Sequence, residues 1–387
     1  MPIPWIGEGF DYPVDPETGV RVTRMTTTLK HHVNVYCEHS YSSPDGKRIA
    51  ILRSPNADPR LPPFDLLVGD IEKLKLSVIE QDVASIVVAT ASWTGWIYYI
   101  TNRNELMRVN MMTLEKEVLF THWPFSPDFI LHTVSPDLRY LVGQLAQASY
   151  DTALVRIDVV EKTWKIIFEH PEISNAHPLY NPINGEDIAM LVIRGTKVNH
   201  WNDYLPVETP HPGPTHWVVN KNGGNLRKLP WGEPRSPNPT GHSQWIGDTG
   251  LYATTLTWNY DTWELDPRFP GGNLLIAKPG EKEIKVFPCS EHRFNHIATS
   301  KCGRYFVCDS YWKRIPGPIP LVVGNFQTGK SRMLLTDCKA QGGASACSHP
   351  HAYFTADNRN VIYNADPFMV GHVWAARVPE SFLRSLD

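Results

Sequence analysis

The chain has 387 residues, 42% of them hydrophobic, and a net charge of −3. It is long enough to bury a sizeable core and too close to neutrality to present the basic footprint that nucleic acid or an anionic membrane surface requires. No stretch approaches the ~18 apolar residues of a membrane-spanning helix, and Met1-Pro2-Ile3-Pro4-Trp5 lacks the charged and apolar parts of a secretory signal. A cytoplasmic protein is the default expectation, although a periplasmic or secreted chain whose signal peptide had been removed leaves the same trace.

In chain order, the first strand-like piece is Val20-Arg21-Val22-Thr23-Arg24, which has no sequence neighbour to pair with. After it a pattern recurs seven times at intervals of roughly 40 to 65 residues: a turn signal, then an apolar strand-like run, the mark of a propeller-type array. The turns are Pro44-Asp45-Gly46, Thr94-Gly95, Pro136-Asp137, Asn184-Gly185, Asp248-Thr249-Gly250, Cys302-Gly303 and Asp357-Asn358. Runs such as Ile49-Ala50-Ile51-Leu52, Ile97-Tyr98-Tyr99-Ile100, Ile188-Ala189-Met190-Leu191-Val192 and Tyr305-Phe306-Val307-Cys308 follow them. A second pair of strands follows each hairpin, as at 66–70, 107–110, 154–158, 217–220, 274–276, 321–325 and 373–376.

These patterns predict an all-β fold: a single seven-bladed β-propeller domain over 1–387, each blade four-stranded. The last unit stops after its third strand at Val378, so the N-terminal strand at 20–24 is expected to complete that blade and close the ring, which removes exposed sheet edges. No amphipathic pattern sustains a helix of three turns, and 33 prolines favour short strands and loops.

The six cysteines have neither disulfide-scaffold nor zinc-knuckle spacing, and most are expected to be free and buried; Cys347, two residues before His349, is a candidate fourth metal ligand. The histidines fall in phase. His132, His177, His242, His296 and the pair His349/His351 each stand at the start of a unit's first strand, which lines the axis of a propeller, so they are expected to converge at one mouth. A lone histidine there is usually a satisfied polar residue; five in the same phase argue for a site.

His349 and His351 are two apart with Pro350 between them, so on a regular extended strand both point to one side of the pleat. With His296 they would form a three-imidazole face leaving positions open for water and substrate. Imidazole suits zinc and manganese alike, and affinity order alone favours zinc.

Long aromatic-rich insertions lead to the same mouth: 194–214 with Trp201 and Tyr204, Trp258 to Trp263 with Tyr260, and Tyr311 to Arg314. Flat aromatic faces beside amide and basic groups suit a sugar. Arg53, Arg103, Arg194 and Arg314 fall at or after the ends of second strands and could form a cationic rim for a carboxylate.

The residues also resemble a known family, the oligogalacturonate lyases, seven-bladed propellers that cleave short uronides by β-elimination. The likeness runs over most of the chain: Thr18 to Thr26 resembles the family's closing strand and Arg103 to Val109 its second blade. His177-Pro178-Leu179-Tyr180, Gly241-His242, His296, the closing Val378-Pro379-Glu380-Ser381 and above all His349-Pro350-His351-Ala352-Tyr353-Phe354-Thr355 match as well.

The resemblance implies that His296, His349 and His351 hold a manganese-like ion and that His242 sits beside the substrate as the leading base candidate; on residue type alone zinc or calcium stay open for the ion, and His177 or His216 come next as the base. It departs in two places. Ala346 stands where the family has a metal-binding glutamine, and Thr215-His216 stand where it has a catalytic arginine, a role Arg194 could take over.

The expected function is a metal-assisted lyase acting on a short uronic-acid oligosaccharide or glycoside to give an unsaturated uronate. His132, Arg194, Trp201, Tyr260 and Arg314 are the substrate-binding candidates. Two alternatives stay open: a non-catalytic propeller that binds a protein or glycan, and a metal-dependent glycoside-processing enzyme of another reaction type.

Overall fold

The computed structural model describes residues 3–56, 61–125, 129–147, 152–198, 204–310, 317–342 and 346–387. They form two compact units, Met1–Thr121 with His292–Asp387, and His122–Glu291. The fold is all-β. Among the described residues, helix is confined to the five-residue Glu380–Arg384 and a 3-10 turn at Ala346–Ser348.

In the first unit, Arg48–Ser54 pairs with Phe64–Asp70 from Arg48↔Asp70 to Arg53↔Asp65, flanked by His31–Val33 and Lys75–Val83. Ile49, Ala50, Ile51 and Leu52 are at most 1% exposed; an unbroken apolar run is the pattern of a strand covered on both faces. Ala89–Thr90, Trp96–Ile100, Leu106–Asn110 and Lys116–Phe120 form a second antiparallel group, and Phe294–Thr299, Tyr305–Ser310, Leu321–Asn325 and Ser331–Leu335 a third.

The last group runs Tyr353–Phe354, Asn360–Ala365, His372–Arg377 and then, from the other end of the chain, Val22–Arg24, paired Val22↔Ala376 to Arg24↔Trp374. The partner anticipated for the N-terminal strand is the one it has. Two additions escaped the sequence reading: Phe10–Tyr12 pairs outside Val22–Arg24, and Ile6–Gly7 pairs with Lys75–Val83. At two and three residues, mostly exposed, they carry no periodicity, and their effect is to cover edges that would otherwise template another chain.

The second unit repeats the plan three times. Its groups are Phe129–Val134, Tyr140–Ala146, Thr152–Asp158 and Thr163–His170; Leu179–Tyr180, Asp187–Arg194, Gly213–Asn220 and Arg227–Lys228; and Pro239–Trp245, Tyr252–Leu256, Leu274–Ala277 and Lys285–Val286.

All seven turns share one geometry. A residue at positive φ closes each: Gly46, Gly95, Leu138, Gly185, Gly250, Gly303 and Asn358. In several a hydroxyl two residues before an Asp sets the turn: Ser43, Ser135 and Thr355 donate to Asp45, Asp137 and Asp357, and accept the amide N–H of Arg48, Tyr140 and Asn360. These side chains take up the backbone groups that the reversal leaves unpaired.

Candidate metal centre and histidine cluster

In the first unit, His296, His349 and His351 each offer a ring nitrogen, and these atoms lie within 4.8 Å of one another. The ring centroids of His296 are 4.4 Å from those of His351 and 5.5 Å from those of His349. Two nitrogens bound at ~2.1 Å to one ion stand roughly 3–4 Å apart, so small side-chain rotations close the set.

The tautomer of His296 is fixed by a residue the sequence reading missed. Asp309, fully buried, accepts Nδ1–H of His296 at 2.8 Å and its backbone N–H at 2.9 Å. Burial, with His349 next to it, pushes the His296 pKa well below its ordinary value. A neutral ring here donates through Nδ1 to Asp309 and keeps the Nε2 lone pair for a metal, the usual carboxylate–histidine–metal arrangement. Three imidazole nitrogens suit a divalent transition ion. The ring of Tyr36 lies 4.5 Å from that of His351 and 6.4 Å from that of His296, a second neighbour not foreseen.

His349 and His351 do not converge in the way the spacing suggested. The strand starts only at Tyr353, and His351 is left-handed, with φ 43°. The segment is instead clamped from outside: Asn34 Nδ2 donates to the His351 carbonyl at 2.8 Å, Asn364 Oδ1 accepts the Asn34 N–H at 2.8 Å, and the Asn364 N–H donates to the Pro350 carbonyl at 2.8 Å. Ser348 Oγ donates to Asp366 at 2.6 Å.

The second unit holds further imidazoles. His132 and His177 have ring centroids 5.5 Å apart, and His216 is lowered in pKa to about 3 by burial first and then by the nearby charges of His177 and His242. His216 Nδ1 accepts the indole N–H of Trp231 at 3.0 Å. Gln144 fixes the chain before His177, its Oε1 accepting the Ala176 N–H at 2.6 Å and its Nε2 donating to the Ser174 carbonyl at 2.9 Å. The His242 carbonyl accepts from Thr254 Oγ1 at 3.0 Å.

One device recurs in both units. The register of each first strand slips where the histidine sits: between Leu131 and Thr133 for His132, between Pro239 and Ser243 for His242, and between Phe294 and Ile297 for His296. Such bulges re-aim a side chain. Where the first strand is only two residues long, a left-handed histidine stands two residues before it: His177, with φ 40°, and His351.

Other expectations fare differently. Cys347 lies in the apolar core, beside Gly371 and in a crevice with Val33, Leu52 and Phe64, and its sulfur is outside the ligand group. It is not a fourth ligand. Five cysteines are free and buried as expected; Cys302 is free but exposed because it occupies a turn. Arg53 is paired with Asp65 at 2.7 Å, and Arg103 with Asp82 and Glu105 at 3.1 Å, so neither is a free rim cation.

Arg194 is carried away from His216. Leu191 stands opposite His216 and Arg194 opposite Gly213; residues three apart on a strand face opposite sides. The Arg194 guanidinium donates to the Gly213 and Glu233 carbonyls at 3.3 and 2.8 Å and lines an open cavity of about 610 Å3 with Thr215, Trp217 and Arg235. Tyr260 packs at 5.0 Å, edge to face, on the buried Trp258. Trp201 and Arg314 lie outside the described residues.

No family model matches the chain. Among curated proteins it is similar to the oligogalacturonide lyase of Pectobacterium atrosepticum, 24% identical over 322 residues, covering 74% of this chain and 75% of that protein. Two solved structures share its fold. An oligogalacturonate lyase from Vibrio parahaemolyticus has a TM-score of 0.73 at 19% identity, covering 99% of this chain and 100% of that one. An oligogalacturonate lyase in complex with manganese has a TM-score of 0.70 at 18% identity, covering 99% of both chains.

Proposed function

We propose that the chain, similar to the oligogalacturonate lyases over most of its length, is a divergent relative of them and a metal-assisted lyase that cleaves short uronic-acid oligosaccharides or glycosides by β-elimination. The observation that carries this reading is the trio His296, His349 and His351 with Asp309 holding the first of them. A binding propeller has no need of three imidazoles gathered at one point and a carboxylate spent on fixing a tautomer.

In this reading the seven strand groups are the blades of one propeller domain, closed by the strand Val22–Arg24 on His372–Arg377. The trio holds a divalent cation, manganese first and zinc or calcium next. A bound ion there supplies Lewis-acid stabilisation to the uronate carboxyl group, on which charge develops as the adjacent proton leaves.

The chain's own groups do the rest. His242, half-buried and presented from a bulge, takes the proton α to the carboxyl group; His177 is the alternative. The C4–O bond then breaks, its electron pair leaves with the oxygen, and a C4–C5 double bond conjugated to the carboxylate remains. A positioned histidine base contributes typically ~10²–10⁴-fold.

The test is absorbance of the conjugated product during incubation with a panel of short uronic-acid oligomers, with chelator and with added manganese. A rise abolished by chelator and restored by manganese is expected. No signal on any uronide, together with no metal retained through native purification, would replace this reading with that of a binding propeller.

A further inference from the structure

Trp231 decides what His216 can do. An indole N–H only donates, so the 3.0 Å contact from Trp231 Nε1 makes His216 Nδ1 an acceptor and puts the ring's hydrogen on Nε2. His216 is 1% exposed, and its Nε2 is buried with no hydrogen-bond partner among the described residues. Folded proteins seldom leave a buried donor unmatched, so this one calls for a bound ligand, an ion or an ordered water. The rest of the ring is pinned too: its centroid lies 5.9 Å from that of Trp231 and 5.6 Å from that of Tyr252, whose hydroxyl is held by Ser243 at 2.8 Å. The neighbours that bear on it electrostatically are His177 and His242.

We propose that His216 is a fixed hydrogen-bond donor, through Nε2, for one oxygen of a uronide bound among His177 and His242, and not a base. The claim rests on the lyase reading for the identity of the ligand. It has a consequence for specificity: where the family resemblance implies a guanidinium that can grip both oxygens of a carboxylate, this chain offers a single N–H, which favours a hydroxyl or one carboxylate oxygen.

The test uses full-length protein labelled with ¹⁵N in histidine. The expected spectrum of His216 is the Nε2–H tautomer, unchanged between pH 8 and pH 5, and lost in Trp231→Phe. Titration with saturated digalacturonate should shift the His216 Nε2–H resonance. His216→Leu should bind digalacturonate roughly 10- to 100-fold more weakly, as expected for one lost hydrogen bond to a charged group. His216→Gln, which keeps an N–H near the same place, should recover part of that loss.

An Nδ1–H tautomer, a His216 that titrates near neutrality, or a His216→Leu protein that binds like the parent overturns the proposal. If the parent protein binds and converts no uronide, the lyase reading falls and takes the ligand assignment with it, while the tautomer is still judged by the spectrum of the free protein. Refolding failure of His216→Leu is separated from loss of the donor by the Trp231→Phe and His216→Gln proteins.

Discussion

Replacing Asp309 by Asn should cost metal affinity while leaving all three ligands in place. Asp309 accepts two hydrogens, from His296 Nδ1 at 2.8 Å and from the His296 backbone at 2.9 Å, at a position with no solvent exposure. An asparagine there has one oxygen and one NH2 group. If the oxygen keeps the backbone N–H, the NH2 faces Nδ1 and drives the imidazole to its other tautomer, which places a hydrogen on Nε2, the atom needed by the ion. If the oxygen keeps Nδ1–H, the backbone N–H loses its acceptor. Loss of a carboxylate behind a metal-binding histidine typically lowers affinity by ~10–100-fold, about 1.4–2.8 kcal/mol. Isothermal titration of the metal-free protein with manganese reads this directly, with His296→Ala as the reference for a lost ligand. Unchanged affinity in Asp309→Asn beside a collapse in His296→Ala would refute the reasoning.

His242→Ala should retain its metal while turnover falls by the ~10²–10⁴-fold of a lost base; metal analysis beside product absorbance checks this, and loss of metal would remove His242 from that role. Asn34→Ala should free the His351 carbonyl and weaken both manganese binding and the fold, the latter by ~1–3 kcal/mol for a buried acceptor left unmatched, read by urea denaturation of metal-free protein. His32 and His216 are held at a pKa of about 3 and His372 at about 4, burial being the largest cause each time. They are neutral in the folded chain where an unfolded chain near pH 5 carries the proton. Stability is therefore full above about pH 6.5 and falls toward pH 4 by up to ~1.4 kcal/mol per pH unit for each histidine; urea midpoints that do not move between pH 7 and pH 4.5 would contradict it. Deleting residues 1–26 should uncover His372–Arg377 and lower the melting temperature with aggregation, measured by light scattering during a thermal ramp.

The strands were legible because their apolar runs are long and their turns are marked by a residue at positive φ. Leu138 shows the limit: the turn was found from Pro136-Asp137, while nothing in the sequence says that a leucine closes it. The trio was legible by spacing and resemblance, though for the wrong local reason, since the strand expected under His349 and His351 starts later. Tyr36, Asn34, Gln144 and Trp231 were not legible, and Asp309 barely so. Each supports its histidine from a different strand or loop, at sequence separations set by packing and not by any period: 13 residues from His296 to Asp309 and 15 from His216 to Trp231. Asp309 left one trace, a carboxylate inside the apolar run Tyr305–Ser310 with every residue buried, and a buried carboxylate demands a partner.

In the first strands of the groups, the breaks in regularity fall where the imidazoles are. A first strand that kept its ladder intact would send alternate side chains to opposite faces of its own sheet, and an imidazole would then be packed between sheets and not presented at the strand's end. Bulges at His132, His242 and His296 and left-handed backbone at His177 and His351 are two ways to redirect the ring at the cost of ladder bonds or of an unfavourable φ. Histidine tolerates positive φ better than most side chains, and strain of this kind, of order 1–3 kcal/mol, persists only where the surroundings over-determine it. At His351 those surroundings are Asn34 and Asn364 holding two consecutive carbonyls; at His177 they are Gln144, and Thr133 accepting the Tyr180 N–H at 3.2 Å. Both left-handed residues are thus held by groups from neighbouring segments, and this spends binding groups on placing an imidazole that the fold itself has no need of.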